Sequence, residues 1–345
     1  MSDRIDRLRA SLEEPFLVTN PVSVRYLIGF HSSNSALLVD DMKLTLYTDF
    51  RYAEAAQAVP GVEFVQTERS VYKDLPGSLS GRVGFEADFV TYSAYEALAK
   101  GKAELIPRRG LVEALRAVKD DAELEALRAA SAVTNEAYTQ LAAEPFVGRT
   151  ERDVAWKLEQ LFHEFGAEAL AFPSIVAAGE NGARPHTEPG DGVIEKGQLV
   201  VIDAGCIVGD YCSDCTRTFA TGPLPGRLQE AYDLCLKAQL AGLEAVRAGV
   251  NGRDADASAR ELISAAGFGE AFGHGLGHGV GLMVHEAPRL AQTSEDTLVP
   301  GNVVTVEPGI YLSGLGGVRI EDLVVVTDNG PEVLTSFTKE LVTVD

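Results

Sequence analysis

The spacing of apolar residues in the first third of the chain predicts helices that alternate with strands. Ile5, Leu8 and Leu12 follow the spacing of a helix face, and Ser2 ahead of them is a suitable N-cap. The next predicted elements are a hairpin of strands over 35–40 and 43–49, a helix over 49–59, strands over 62–67 and 82–87, and a helix over 93–101 closed by Gly101. This alternation is typical of an α/β layer.

A long helical pattern follows at residues 110–143. Asp120 and Asp121 restart it, because acids are favourable in the first turn of a helix. Its buried stripe is predicted to contain Leu124, Leu127 and Val133. We place the boundary between two domains just before the restart, with residues 1–118 in one domain and 119–345 in the other.

The second domain contains an internal repeat. Residues 197–206 (GQLVVIDAGC) are similar to 301–310 (GNVVTVEPGI), and residues 148–158 are similar to 252–262. Both pairs are offset by 104 residues, which two unrelated coincidences would rarely produce. The repeat predicts a duplicated helix-and-strand unit, and therefore a domain with an internal pseudo-two-fold.

Four carboxylates interrupt apolar segments that are predicted to be buried strands. Asp203 lies in LVVIDAG, Glu307 has the equivalent place in the second repeat, and Glu321 follows GGVRI. Asp214 is predicted to share a strand face with Asp210, Cys212 and Thr216. Four buried charges would destabilise the fold unless divalent cations compensated them. Two ions about 3.5–4 Å apart, bridged by shared carboxylates, would use all four.

Histidine is the expected nitrogen ligand of such a site. The chain has six histidines, and His274, His278 and His285 fall within one short segment with alternating glycines. Those glycines let the backbone approach its neighbours closely, so a metal site is favoured over a structural role. His186 lies in a loop marked by Asn, Gly and Pro, where it either binds substrate or is merely exposed.

Two more side chains are candidates because they lie near these acids in the sequence. Arg319 precedes Glu321 by two residues and is predicted on the same strand face. It either forms a salt bridge behind the site or clamps a substrate carboxylate. Tyr311 follows Glu307 by four residues, and it either forms a hydrogen bond in the site or packs against it.

The charge of the chain limits its partners. Its 345 residues include 51 acidic and 30 basic side chains, a net charge of -21. We expect neither nucleic acid nor a membrane as a partner, because both need a basic surface. No apolar run approaches the roughly 20 residues of a membrane span, and the charged N-terminus is unlike a signal peptide.

Cysteine usage adds an expectation about the compartment. The chain has four cysteines without a regular framework, which favours the reducing cytoplasm. Cys212 and Cys215 form a C-x-x-C motif, but a structural zinc would need a second pair. We therefore expect two ordinary strand cysteines rather than a zinc or redox site.

Together, these motifs resemble the pita-bread-fold metallopeptidases: prolidases, Xaa-Pro aminopeptidases and methionine aminopeptidases. The resemblance is carried by DAG at 203–205, GHGVGL at 277–282, VEPGIY at 306–311 and GGVRIED at 316–322. NPVSVRYLIGF at 20–30 is similar to the creatinase/prolidase N-terminal domain. The fold class implied is α/β (α+β), an N-terminal domain of that type followed by a pita-bread catalytic domain with an internal pseudo-two-fold.

The resemblance also implies a dinuclear site. Asp203 would bind the first ion, Asp214 and Glu321 would bridge both, and His278 and Glu307 would complete the second. A bridging hydroxide would be the nucleophile, and Glu307 would carry a proton to the leaving nitrogen. Manganese, cobalt, zinc or iron would suit the ligands, with manganese or zinc favoured.

The remaining candidates would act on the substrate. The resemblance implies that His186 and His285 bind it and stabilise the tetrahedral intermediate. His274, Arg319 and Tyr311 match positions that shape the proline pocket and its surroundings.

Several activities are compatible with this resemblance. An Xaa-Pro dipeptidase is favoured, with an Xaa-Pro aminopeptidase acting on longer peptides as the alternative. A dipeptidase must hold the free C-terminal carboxylate of its substrate, for which Arg289 or Arg319 are the candidates. A methionine aminopeptidase would lack the N-terminal domain, and both a metal-free creatinase and a non-catalytic binding module are disfavoured by five intact ligands. The resemblance also suggests a homodimer in which the loop 29–35, with His31, closes over the partner's site.

Overall fold

The computed structural model describes residues 2–345. The chain folds into two compact units, Met1–Arg116 and Ala117–Asp345. None of the helices in residues 2–345 combines the length and the apolar composition that a membrane span requires.

The first unit is a six-stranded sheet with helices. Its elements are α1 (Ser2–Arg9), β1 (Phe16–Val18), α2 (Pro21–Ile28), β2 (Ser35–Val39), β3 (Leu44–Asp49), α3 (Ala53–Gln57), β4 (Glu63–Thr67), α4 (Val71–Ser78), β5 (Arg82–Glu86), α5 (Tyr92–Leu98) and β6 (Glu104–Arg108). The strand order is β4-β3-β2-β1-β5-β6. Because β1 pairs antiparallel with β2 and parallel with β5, the sheet is mixed.

Most of the predicted elements of this unit are confirmed. The hairpin forms between β2 and β3, with Ser35 opposite Thr48. Three details of the prediction are wrong. Ser2 is the first residue of α1 rather than the N-cap ahead of it. α1 ends at Arg9, so Leu12 lies outside it. α5 ends at Leu98, and its C-cap is Ala99 in the right-handed helical conformation rather than Gly101. Gly101 lies close to the backbone of Pro76.

The second unit begins with the last residue of α6 (Leu111–Ala117). Its further elements are α7 (Asp121–Leu141), α8 (Glu151–Glu164), β7 (Ala169–Leu170), β8 (Ile175–Ala178), β9 (Leu199–Ala204), β10 (Cys206–Val208), β11 (Tyr211–Cys212), β12 (Cys215–Ala220), α9 (Gly226–Ala245), α10 (Gly252–Ala265), β13 (Gly277–Gly279), β14 (Glu286–Leu290), β15 (Val303–Val306), β16 (Gly309–Leu312), β17 (Gly316–Arg319), β18 (Asp322–Thr327) and β19 (Gly330–Val333).

The two halves of this unit repeat one element order, as the sequence predicts. β9 pairs antiparallel with β8 and β12, and β15 pairs antiparallel with β13 and β18. A shift of 104 residues moves the range of α7 to 225–245, which matches α9 to within one residue. Each half has its own apolar core, in which Val200 and Val304 are equivalent.

α7 begins where the sequence predicts a restart, but its buried face differs from the prediction. Asp120 and Glu123 form a capping box at its N-terminus. Compared with the prediction, the buried stripe is rotated about the helix axis by about one residue position. Leu124 and Val133 are therefore only partly buried. Its members are Glu123, Leu127, Ala130, Ser131, Thr134, Ala137, Tyr138 and Leu141.

Tyr138 explains why this stripe accepts polar residues. Its ring is fully buried, and its hydroxyl lies 2.7 Å from the carbonyl oxygen of Cys215 and 3.2 Å from that of Ile202. The hydroxyl thus anchors α7 to both β9 and β12, the two strands next to the candidate site.

Candidate metal and active site

The four carboxylates predicted from the sequence lie at different places in the sheets. Only Asp203 is inside a strand, β9. Asp214 lies between β11 and β12, Glu307 follows β15, and Glu321 lies between β17 and β18. The predicted continuous strand through Asp210 and Asp214 is wrong, because Asp210 adopts a left-handed conformation (φ 72°) between β10 and β11. The strand breaks leave three of the acids at strand ends, where their side chains can converge.

Three of the predicted ligands form a compact cluster. The ligand atoms of Asp214, His278 and Glu321 all lie within 4.8 Å of one another. His278 Nε2 is also 3.2 Å from Glu307 Oε1 and 3.7 Å from Asp214 Oδ2. The structure therefore brings four of the five predicted ligands together around one imidazole.

The electrostatics of this cluster are those of an undercompensated negative site. Burial, and next the nearby charge of Glu321, raises the pKa of Asp214 well above its ordinary value. Burial and the charges of Glu307 and Asp203 raise the pKa of Glu321 in the same way. Like charges that are buried together resist ionisation, and divalent cations are the usual partner that allows it.

The imidazole of His278 favours the ionised form of one carboxylate, that of Glu307. Burial is the largest single influence on the pKa of Glu307 and opposes its ionisation. The hydrogen bond with His278 and the electrostatic influence of His278, His274 and Arg319 together outweigh burial and lower the pKa of Glu307. The same hydrogen bond raises the pKa of His278, although burial alone would lower it. Glu307 is thus the carboxylate of the cluster that is most readily ionised.

Asp203 tests whether a metal ion fits. Its Oδ2 accepts a hydrogen bond from Arg319 Nη2 at 2.6 Å. Its Oδ1 is buried and has no hydrogen-bond partner in residues 2–345. A buried carboxylate oxygen without a hydrogen-bond partner, beside a cluster of acids, is available to coordinate a cation. The residues present therefore fit a divalent cation.

Two threonines that were not among the candidate residues organise the cluster. Thr216 donates a hydrogen bond to Glu321 Oε2 at 2.8 Å and accepts one from Arg319 Nε at 3.0 Å. Thr305 donates to Glu307 Oε1 at 3.0 Å and accepts from the backbone amide of His278. The signal was present in the sequence, because each threonine lies two residues from a site acid along an apolar strand.

Arg319, Tyr311 and His274 form one chain of hydrogen bonds. Arg319 Nη1 donates to the Tyr311 hydroxyl at 2.8 Å, and that hydroxyl lies 2.9 Å from His274 Nε2. Because His274 Nδ1 lies 2.8 Å from the Gly275 carbonyl oxygen, Nδ1 carries the proton and Nε2 accepts from Tyr311. Burial raises the pKa of Tyr311 to about 12 and lowers that of His274, so both stay neutral.

This chain decides between the two roles considered for Arg319. The guanidinium is buried and already donates to Asp203, Tyr311 and Thr216. It therefore forms the salt bridge behind the site, and each of its three nitrogens already donates a hydrogen bond. Tyr311 likewise forms hydrogen bonds in the site rather than only packing.

Three basic residues are more open to solvent. His285 is exposed, with its ring centroid 4.3 Å from that of His278. His186 is exposed in a turn. The pKa values of His274 and His285 are lowered mainly by burial, and the electrostatic influence of His186 lowers both pKa values further. Arg289 is exposed on β14, directly opposite His278 in the antiparallel pairing with β13.

Glycines in the histidine segment allow its close packing. A Cβ atom at Gly277 would overlap the carbonyl oxygen of Thr305, and one at Gly279 would overlap that of Ala287. Gly273, in contrast, has open space around it. The expected close approach of the backbone is therefore confirmed next to His278.

The C-x-x-C motif has the ordinary role that the sequence favours. Cys212 ends β11, Cys215 begins β12, and both are buried and form no disulfide within residues 2–345. Burial raises the pKa of the Cys215 thiol, which makes it unreactive.

Comparisons with known proteins agree on the family. The family model described as "Metallopeptidase family M24" matches residues 125–328, and that of the "Creatinase/Prolidase N-terminal domain" matches residues 4–118. An Xaa-Pro dipeptidase from Pyrococcus furiosus is 36% identical over 99% of this chain and 100% of its own length. Among solved structures, an Xaa-Pro dipeptidase from Bacillus anthracis is 40% identical with a TM-score of 0.94, covering 99% of both chains. An X-Pro aminopeptidase from Thermotoga maritima is 34% identical with a TM-score of 0.88, covering 99% of this chain and 100% of its own.

Proposed function

This chain belongs to metallopeptidase family M24, and from that premise we propose that it is an Xaa-Pro dipeptidase, which hydrolyses the imido bond of Xaa-Pro dipeptides. The expected fold, a creatinase/prolidase-type N-terminal domain followed by a pita-bread catalytic domain, is confirmed. The observation that carries the proposal is the cluster of Asp214, His278 and Glu321 beside the unpaired oxygen of Asp203.

The site has ligands for two divalent ions. Asp203 would hold the first, Asp214 and Glu321 would bridge both, and His278 and Glu307 would complete the second. Such ions supply Lewis-acid polarisation of the scissile carbonyl and activation of water. The mixture of four carboxylates and one imidazole suits manganese, zinc, cobalt or iron, and we favour manganese or zinc.

Glu307 is proposed to move the proton of the reaction. Its carboxylate is held in place by hydrogen bonds with Thr305 and His278. It would accept a proton from the attacking water and deliver it to the leaving nitrogen. This delivery matters for an Xaa-Pro bond, because the proline nitrogen carries no hydrogen and must gain one on release.

The histidines at the open side of the cluster are proposed to contact the substrate. His285 packs on His278, and His186 is near enough to His285 and His274 to lower the pKa values of both electrostatically. Their imidazoles would donate hydrogen bonds to the oxygen that becomes negative as the tetrahedral intermediate forms. His274 and Tyr311, fixed by Arg319, would form a wall of the proline pocket.

The free carboxylate of a dipeptide needs a cation, and Arg289 is the better candidate. Arg319 is buried and its three nitrogens already donate hydrogen bonds to Asp203, Tyr311 and Thr216. Arg289 is exposed on the strand next to His278. A guanidinium can bind a carboxylate through two parallel hydrogen bonds, which would select dipeptides over longer chains.

Release of an N-terminal residue from longer Xaa-Pro peptides is the second candidate, because the Thermotoga maritima relative bears the name X-Pro aminopeptidase. The two activities are separated by comparing an Xaa-Pro dipeptide with the corresponding Xaa-Pro-Xaa tripeptide. We expect a higher kcat/KM for the dipeptide, and we expect Arg289→Ala to remove most of that preference. Faster cleavage of the tripeptide by the wild-type enzyme would replace the dipeptidase proposal with the aminopeptidase.

The surroundings of the enzyme are also proposed. Four buried cysteines, without a disulfide in residues 2–345, are compatible with a reducing cytoplasm. We propose a homodimer, in which the loop 29–35 with the exposed His31 closes over the partner's site. Light scattering of the purified enzyme tests the dimer, and a monomeric mass would contradict it.

A further inference from the structure

His186 lies on a long irregular loop, so something other than a strand or helix must hold it. The loop runs from the end of β8 at Ala178 to the start of β9 at Leu199. Its regular part is a short 3-10 turn at Gly179–Ala183, and His186 itself is exposed. The position of this imidazole therefore depends on how the loop is anchored.

Glu151 anchors the loop at both ends of the part that carries His186. It lies in the first turn of α8 and is 1% exposed. Its Oε1 accepts a hydrogen bond from the backbone amide of Ala178 at 2.8 Å, and its Oε2 accepts one from that of Gly190 at 2.9 Å. One carboxylate thus joins two points twelve residues apart in the sequence.

Asn181 extends this anchor into the loop. Its Nδ2 donates to both carboxylate oxygens of Glu151, at 2.9 Å and 3.1 Å. Its Oδ1 in turn accepts a hydrogen bond from Arg184, two residues before His186. A continuous set of hydrogen bonds therefore runs from a buried residue of α8 to the immediate neighbourhood of the imidazole.

The other half of the repeat uses a similar device for His274. Asp256, fully buried on α10, accepts from the backbone amide of Leu276 and pairs with Arg260. Arg260 donates to the carbonyl oxygens of Phe272 and His274. In both halves, a buried carboxylate near the start of the repeated helix holds a histidine-bearing segment by its backbone.

We propose that Glu151 is a positioning residue for His186. It does not contact substrate; it holds the loop 178–190 so that the imidazole reaches the forming oxyanion. The proposal rests on the proposed function for the role of His186, but the anchoring of the loop is measurable without any activity.

The test compares Glu151→Gln with Glu164→Gln, a control at an exposed glutamate of the same helix. The amide introduced by Glu151→Gln would keep the size of the side chain but turn one acceptor into a donor facing a backbone amide. We expect faster hydrogen exchange in 178–190, unchanged metal content, and a kcat for an Xaa-Pro dipeptide that falls roughly tenfold with little change in KM. The control should match the wild type in hydrogen exchange, metal content, kcat and KM.

A double-mutant cycle with His186→Ala separates positioning from general destabilisation. If Glu151 acts through His186, Glu151→Gln causes no further loss of kcat in the His186→Ala background. Additive losses, or unchanged kcat in the single variant despite faster exchange, would overturn the proposal. If Glu151→Gln does not fold, Asn181→Ala removes the loop-side donor and is used in the same cycle.

The outcome also separates this proposal from the proposed function. A wild-type enzyme without Xaa-Pro activity would contradict the proposed function alone, and the exchange measurement would still decide whether Glu151 holds the loop. Unchanged exchange in 178–190 would overturn the positioning role whatever the activity.

Discussion

Residues of the site differ in how their polar groups are satisfied. Arg319, Tyr311 and His274 satisfy one another through a complete chain of hydrogen bonds. For Asp214 and Glu321, burial and the acids around them raise the pKa values, and nearby Arg319 does not offset this rise. The first group therefore fixes geometry, and the second group is where a cation contributes most.

The hydrogen-bond chain gives a prediction for Tyr311→Phe. The variant keeps the ring but leaves Arg319 Nη1 and His274 Nε2 without their shared partner. Because a lost hydrogen bond to a charged group costs about 1.5–3 kcal/mol, kcat/KM for an Xaa-Pro dipeptide should fall by roughly ten- to hundredfold. Steady-state kinetics with Tyr92→Phe, at an exposed tyrosine, as control measure this. Wild-type kcat/KM in Tyr311→Phe would show that the chain has no part in catalysis.

The acids and the histidine of the cluster are easier to predict from the sequence than the residues that hold them in place. A carboxylate or histidine in an apolar segment is conspicuous, because it is costly there without a partner. The positions of Thr216 and Thr305 close to site acids are visible in the sequence, but their hydrogen bonds are not, because the role of a threonine in a strand depends on what faces it. The occupied state of Arg319 could not be predicted either, because Asp203 and Tyr311 meet it only in the folded chain.

Elements of the second unit follow the repeat, but the site is made where the elements end. The 104-residue offset predicts the order of β9 and β15 and the equivalence of α7 and α9. It does not predict that Asp214 and Glu321 fall between strands, because strand ends depend on turn geometry and pairing. Hydrophobic periodicity therefore gives the scaffold, whereas the breaks that aim the ligands come from tertiary structure.

A substitution at Gly277, on β13 next to β15, tests how closely these two strands must pack. A Cβ atom at Gly277 would overlap the carbonyl oxygen of Thr305, whose hydroxyl holds His278 and Glu307. Overpacking of this kind costs about 1–3 kcal/mol. Gly277→Ala should therefore weaken Mn²⁺ binding by roughly five- to hundredfold in calorimetric titration. Gly273→Ala, in open space, should bind as the wild type does, and equal affinity of the two variants would contradict this account.

In the first unit, Glu86 predicts a pH dependence of stability. It is buried at the end of β5, and its carboxylate accepts from the backbone amides of Thr19 and Asn20 ahead of α2. Burial raises the pKa of Glu86 to about 7, despite these two hydrogen bonds. The folded state therefore holds the proton more tightly than the unfolded state, whose pKa is near 4.5.

The sign of the effect follows from this difference. The stabilising contribution is complete below pH 4.5, falls as the pH rises, and is lost above about pH 7, a change of up to roughly 3 kcal/mol. Hydrogen exchange of α2 amides, corrected for intrinsic rates, should show this loss in the wild type and in the exposed control Glu96→Gln. Glu86→Gln cannot ionise, so its α2 stability should be nearly flat; a slope equal to that of the wild type would refute the assignment.

At the scale of the whole molecule, the acidic composition and the proposed metal site are related through charge. The 51 acidic residues outnumber the 30 basic residues, which gives the chain its net charge of -21. Four of the acids converge in the second unit, where two divalent cations would offset their charge. A site that is less negative than its surroundings can hold a substrate carboxylate on an acidic protein, with Arg289 as the exposed cation opposite His278 in the paired strands.

The central claim is a two-ion site that hydrolyses Xaa-Pro dipeptides. The direct measurement is a titration of the chelated enzyme with Mn²⁺, following bound metal by elemental analysis and hydrolysis of an Xaa-Pro dipeptide in the same samples. We predict that activity is absent without metal and reaches its plateau at two ions per chain, and that Asp214→Asn, which alters a proposed bridge, reaches neither. Full activity in the chelated enzyme, or two bound ions with no Xaa-Pro hydrolysis, would contradict the account.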